Sequence, residues 1–119
     1  MNKELIKLIV PEEILRHFEF TGYEAISGVY RIYLDEKQGD DHLPKELSKK
    51  SNVVSDGYLN AIELQTFPMN AKEVFLYLRR RKWKESGSKR SYSNSYNFHL
   101  KGMKATKEFG AFLKEIGRG

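Results

Sequence analysis

Apolar residues recur at helical spacing near both ends of the chain and at alternate positions between them. Over residues 3–18, Leu5, Ile6 and Ile9 share a face, and "PEEILRHF" restarts the pattern with Ile14, Leu15 and Phe18. Pro11 suits a first helical turn, and Glu12 and Glu13 suit the positive end of the helix dipole. A short helix, a break near Val10 and a second turn or two are predicted. Towards the other end, Phe109, Phe112, Leu113 and Ile116 fall at i, i+3, i+4 and i+7. This spacing predicts an amphipathic helix over 104–116 with its apolar face turned inward.

After Thr21-Gly22 the period becomes two. "YEAISGVYRIYLDEK" reads as two short strands turning at Ser27-Gly28, a hairpin signal. Residues 38–57 are polar and turn-rich, and read as a long loop with one helical turn at "PKEL"; loops of this length are usually functional or mobile. "YLNAIELQTFPM" reads as a strand, "KEVFLYLRRRKWKE" as one long strand, residues 85–95 as a flexible basic loop and "YNFHLKG" as a last strand. The sum is an α+β fold: an antiparallel sheet of about four or five strands in a meander, with the N-terminal and C-terminal helices packed on one face.

Alternation sorts the two faces of such a sheet. Ile32, Leu34, Ile62, Leu64, Leu76, Leu78, Phe98 and Leu100 fall together on an aliphatic, core-facing side. The other side carries Arg31, Tyr33, Glu63, Gln65, Phe75, Tyr77, Arg79, Arg81, Trp83, Asn97, His99 and Lys101. A mixture of arginine, aromatic and amide groups is suited to recognition. Arginines at 79 and 81 can donate paired bonds to guanine edges or phosphates.

Charge sharpens this picture. Residues 72–104 carry ten Lys or Arg and two Glu, a net of +8, whereas residues 1–71 have a net of −4, within a total of +5. The densest stretch, "YLRRRKWKESGSKRSYS", places Arg79, Arg80, Arg81, Lys82, Lys84, Lys89 and Arg90 around Trp83. Like charges at this density are uncommon without an anionic partner, and a polarised chain of this kind reads as a surface for a polyanion. The alternative reading has Phe75, Tyr77 and Trp83 forming a second small core under the long loop, with the arginines solvated. Tyr33, Phe75, Tyr77 and Trp83 keep base stacking on RNA open. A protein-interaction or structural domain with an acidic partner is the third reading.

Composition bounds the rest. At 119 residues, 39% of them hydrophobic and 15 aromatic, the chain has the material for a single domain spanning 1–119. The absence of cysteine excludes disulfides, thiolate zinc sites and a cysteine nucleophile, and fits a cytoplasmic protein. No apolar run approaches the ~20 residues of a membrane span. "LIKLIV" is too short for one, and no small-residue cleavage site follows it. His17, His42 and His99 lack metal-ligand spacing. Asp56, Glu63 and Gln65 lack the spacing of a metal nuclease, so no catalytic residue, metal, cofactor or small-molecule substrate is expected.

"PEEILRHFEF", "LQTFPMNAK", "YLRRRKW" and "KGMKATKEFGAFLKEIGR" resemble, in the same order, blocks of the N-terminal region of bacterial insertion-sequence transposases. Met69-Asn70-Ala71 stands where that family has a basic residue and a glycine. The resemblance spans nearly the whole chain apart from 38–57. It implies a non-catalytic DNA-binding module for the terminal inverted repeats of a mobile element. Its double-stranded DNA would be cut and joined by a separate catalytic transposase chain of the three-carboxylate type. Arg79, Arg80, Arg81, Lys82 and Trp83 match the family's basic block. With Tyr77, Lys84, Lys89, Arg90 and Asn97 they form the expected DNA-binding set.

Overall fold

The computed structural model describes residues 1–117. Helix α1 (Lys3–Ile9) begins at Asn2, whose Oδ1 accepts the Leu5 amide at 2.9 Å. It stops where Val10 turns extended ahead of Pro11, as the residue before a proline favours. Helix α2 (Glu12–Leu15) follows Pro11, and strand β1 (Phe18–Ile26) starts directly after it. Strand β2 (Val29–Glu36) returns through Ser27 and Gly28, whose φ values of 52° and 80° are those of a two-residue hairpin turn.

Two single-turn 3-10 helices, Asp40–His42 and Lys45–Leu47, lead into β3 (Val53–Tyr58). Strands β4 (Ile62–Met69) and β5 (Lys72–Arg79) form a second hairpin, turning at Asn70 and Ala71 with φ of 51° and 63°. Strand β6 (Arg81–Glu85) and helix α3 (Lys107–Gly117) complete the chain.

The α+β class and the first hairpin agree with the sequence pattern, but the connectivity differs from a meander. The main sheet has the order β1-β2-β5-β4, and its central pair, β2 and β5, is parallel. Parallel neighbours need a long crossover, and residues 37–71 supply it, with β3 and β4 inside it. The stretch 38–57 is therefore not one loop, because its last residues enter β3. Nor is 72–85 one strand. It breaks at Arg80, and β6 leaves the sheet to pair with β3 as a separate antiparallel ribbon. Residues 96–102 form no strand. Their backbone is bridged to the fold at His99 and Thr106, with the Leu100 amide bonding Ala105.

The core lies on one face of the main sheet. Ile32, Leu34, Val74, Leu76, Leu78 and Leu64 meet Ile6 and Val10 of the first helix and its end, Ile14 of the second, and Phe18 and Phe98. Phe98 is buried, so the segment that carries it acts as a lid on this face although it is not a strand. Helix α3 attaches at the β4 edge, where Phe109 meets Phe67 at 5.1 Å between ring centroids. Only part of its apolar stripe is turned inward. Phe109 is buried, whereas Phe112 is 46% and Ile116 59% exposed. Leu5 is likewise exposed although Ile6, beside it, is fully packed. The described residues form an elongated body of 54 × 31 × 23 Å.

Candidate nucleic-acid interface

The break at Arg80 decides where the basic block points. Within a single strand, Arg79, Arg81 and Trp83 would share one outward face. Instead β5 ends at Arg79 and a new strand starts at Arg81, and Arg81 and Trp83 are turned inward, 7% and 6% exposed. The Arg81 amide donates to Glu36 Oε1 at 2.9 Å, and its Nε donates to the Glu36 carbonyl at 2.7 Å. Arg81, expected on the outward face, is instead buried and bonded to Glu36.

Glu36 itself is fully buried and is the hub of a polar cluster. Its Oε2 accepts from Asn94 Nδ2 at 3.0 Å and from the Tyr96 hydroxyl. Asn94 also donates to the His42 carbonyl at 2.5 Å, and its own carbonyl accepts Arg80 Nη1 at 2.9 Å. The His17 ring lies between those of His42 and Tyr96, at 5.8 and 5.1 Å. Burial, and next the bond to Glu36, push the Tyr96 phenol far up and keep it protonated. Burial pushes His17 down; His42 and Arg16 push the same way and Glu36 opposes them. The cluster fastens residues 92–98 and the 3-10 turns to the end of β2. Arg80 is part of this fastening and only half-exposed.

Arg79 stays on the open face of the main sheet but is not free. It makes two bonds to Asp35, 2.8 and 2.7 Å long, and its guanidinium lies 3.7 Å from the Tyr58 ring centroid. Tyr77 stacks on Tyr33 at 5.5 Å and donates to Glu63 at 2.6 Å, while Tyr33 donates to Glu24 at 2.5 Å. Both phenols are pushed up, first of all by those bonds to carboxylates. The sheet face expected to recognise nucleic acid is thus rimmed by carboxylates. Asn97 is exposed on the core-side segment, next to buried Phe98, and is not on this face.

The excess positive charge gathers elsewhere, on the β3–β6 ribbon. Val53 pairs with Glu85, so the turns flanking these residues lie at one end of the ribbon. One turn carries Lys49 and Lys50 and the other Lys89 and Arg90, all exposed. Ser86 N bonds Asn52 O at 2.7 Å, and Lys50 Nζ lies 4.0 Å from Glu85, which holds the two turns together.

Along the ribbon, Lys82 and Lys84 flank Asp56. Lys84 lies 3.7 Å from it, and the Ser91 hydroxyl donates to it at 2.6 Å. The Ser91 bond is the main cause that holds the Asp56 carboxyl below its usual range, with Lys84 and Lys82 adding to it against desolvation. Tyr92 exchanges two backbone bonds with Trp83, of 2.8 and 2.7 Å, and the Arg90 guanidinium lies 5.2 Å from the Tyr92 ring. The segment after β6, expected as a flexible loop over 85–95, is therefore anchored at several points, with Tyr92 bridged to Trp83 alongside β6. The end and flank together carry Lys49, Lys50, Lys82, Lys84, Lys89 and Arg90 against Asp56 and Glu85, a net of +4.

Lys49 and Lys50 are absent from the residue set expected from sequence. They sit in a polar stretch remote from the basic block, and only the β3–β6 pairing brings them to Lys89 and Arg90. Glu36 was also missed, yet alternation from Ile32 and Leu34 points it at the core.

No group of three or more His, Cys, Asp or Glu side chains is placed to hold a metal ion among the described residues. No helix there is long and apolar enough to cross a membrane. Comparisons with protein-family models, curated proteins and solved structures gave no significant match.

Proposed function

We propose that this chain binds double-stranded DNA through the β3–β6 ribbon and its basic end, and has no catalytic activity of its own. The observation that carries this reading is the convergence of Lys49 and Lys50 with Lys89 and Arg90 on a paired ribbon, flanked by Lys82 and Lys84. Lysine and arginine that face phosphates release condensed counterions, which supplies most of the affinity. A two-stranded ribbon has the width to enter a major groove. Arg81 contributes by fixing the ribbon to Glu36 at the end of β2, Arg80 by holding Asn94, and Trp83 by its burial within the ribbon. The resemblance to insertion-sequence transposases supplies the biological setting: terminal inverted repeats as the DNA, a separate catalytic transposase chain as the partner, and the cytoplasm as the place. RNA stacking on the sheet is disfavoured by the carboxylates bonded to Tyr33 and Tyr77.

The test is selection of bound duplexes from a random library with matched RNA as control, followed by titration of the selected duplex at several salt concentrations. An enriched DNA motif is expected, with a log–log salt slope of about −0.9 per phosphate contact. No enrichment in the DNA pool, or a flat salt dependence, overturns the reading. Enrichment in the RNA pool alone transfers it to RNA.

A further inference from the structure

The open face of the main sheet has the charge opposite to the ribbon end. No helix of the core layer covers it, and it presents the stacked rings of Tyr33 and Tyr77 between Glu24 and Glu63, with Glu73 beside them. All three glutamates are exposed. Each accepts one internal bond, from Tyr33, Tyr77 or Gln65, and keeps further acceptor positions towards solvent. Asp35 is neutralised by Arg79, which leaves Arg31 as the remaining cation among the strand residues of this face.

The chain itself demonstrates what such a surface takes. Arg79 lies with its guanidinium bonded to a carboxylate, Asp35, and over a tyrosine ring, Tyr58. Glu24, Tyr33, Tyr77 and Glu63 offer the same pair of groups, carboxylate and ring. Arg31 lies across the strand pair from Glu24, and among the described residues no cation forms an ion pair with either glutamate.

We infer that the chain associates with a second copy of itself, end to face: Lys89 and Arg90 of one copy lie on the Glu24–Tyr33–Tyr77–Glu63 surface of the other. Charge complementarity selects this occupant. The residues that bear exposed positive charge at the ribbon end match the exposed carboxylates of the face, and both surfaces are present on every copy at equal concentration. The contact is heterologous, joining two different patches, so a copy that has lost one patch still offers the other. It uses the same ribbon end as the DNA reading, and where that reading holds, DNA and a second copy exclude one another at Lys89 and Arg90. The self-association does not require that reading.

Sedimentation equilibrium of the full chain without DNA tests the inference. At low salt the average mass rises with concentration above the 13.9 kDa of one chain, and high salt returns it to that value. A face variant (Glu24→Gln with Glu63→Gln) and an end variant (Lys89→Gln with Arg90→Gln) each stay at one chain mass. All four positions are exposed, and circular dichroism confirms that both variants are folded. Mixing the two variants restores association, because each supplies the patch the other lacks, and the mass of the mixture approaches twofold. A wild-type chain that stays monomeric at low salt overturns the inference. So does a face variant that associates like the wild type, or a mixture that fails to complement. Duplex binding by the face variant is measured separately. It is retained if the DNA reading holds and absent if that reading fails, whichever way the association experiment turns out.

Discussion

Arg81 holds Glu36 by two different routes. Its backbone amide caps the carboxylate at 2.9 Å, and its side-chain Nε caps the carbonyl of the same residue at 2.7 Å. Truncation removes only the second bond, and leaves a buried carbonyl without its donor. Arg81→Ala is therefore expected to lower stability by about 1–3 kcal/mol. Arg79→Ala, at a side chain 47% exposed, is expected to cost less than about 1 kcal/mol. Urea denaturation of both variants checks this. An Arg81→Ala midpoint equal to that of the unsubstituted chain would mean that Arg81 plays no structural part.

Salt titration separates the residues by location. Lys49→Ala, Lys50→Ala, Lys89→Ala and Arg90→Ala should each reduce the salt slope of duplex binding by about one unit. Arg79→Ala should leave it unchanged, since Asp35 already occupies its guanidinium. A slope that responds to Arg79 and not to Lys49 or Lys50 would return the interface to the sheet.

The C-terminal helix divides in the same manner. Phe109→Ala removes a buried ring and should cost roughly 3 kcal/mol, near the lower end for such truncations. Phe112→Ala, on the half-exposed side of the helix, should cost about 1 kcal/mol or less. Thermal unfolding of the two variants distinguishes them. A Phe112 variant as unstable as the Phe109 variant would place both rings in the core.

Acid sensitivity should run through His17. Its pKa is lowered from 6.5 in the folded chain, first by burial and then by His42 and Arg16. The folded state therefore binds fewer protons than the unfolded state. The stability His17 contributes is full above about pH 6.5 and is lost as pH falls through the lowered folded value. A plot of unfolding free energy against pH should decline on that acid side. The decline should flatten in His17→Gln, and an unchanged profile in this variant would assign the acid loss to other groups.

The β4–β5 turn stores backbone strain. Ala71 has φ +63°, a conformation that disfavours a Cβ by roughly 1–2 kcal/mol. Glycine relieves this but frees the unfolded chain by about 0.4–1 kcal/mol. Ala71→Gly is expected to raise stability by about 0.5–1 kcal/mol net of that loss. Differential scanning calorimetry measures it, and a lowered melting temperature would contradict the strain.

Local pattern made several elements legible. Ser27-Gly28 marked a turn because it supplies the positive φ a tight hairpin requires, and Ile32, Leu34, Leu64, Leu76 and Leu78 marked the core because alternation fixes their face. Pairing partners were not legible, since period two says nothing about which strand lies alongside. The parallel neighbour of β2 and the partner of β6 both depend on the crossover, and the position of Lys49 and Lys50 depends on them in turn. The break at Arg80 was hidden because "RRRKW" continues the alternating pattern without a glycine or proline. Arg81 and Trp83 changed sides through that break alone. Phe112 misled because helical spacing identifies a stripe but not how much of it a single sheet edge can cover.

The parallel contact of β2 with β5 also orders events in time. During synthesis the first hairpin leaves the ribosome with the inner edge of β2 unpaired, because its partner in this sheet, β5, is still to come. It stays open until residues 72–79 emerge, and Glu36 waits longer still for Arg81, Asn94 and Tyr96. Through the middle of translation the nascent chain therefore carries an open strand edge and a carboxylate whose folded partners do not yet exist, the state in which β-rich chains are most exposed to mispairing. A chain released before Tyr96 has the residues of the first hairpin but lacks Tyr96 and Phe98, which pack on the core.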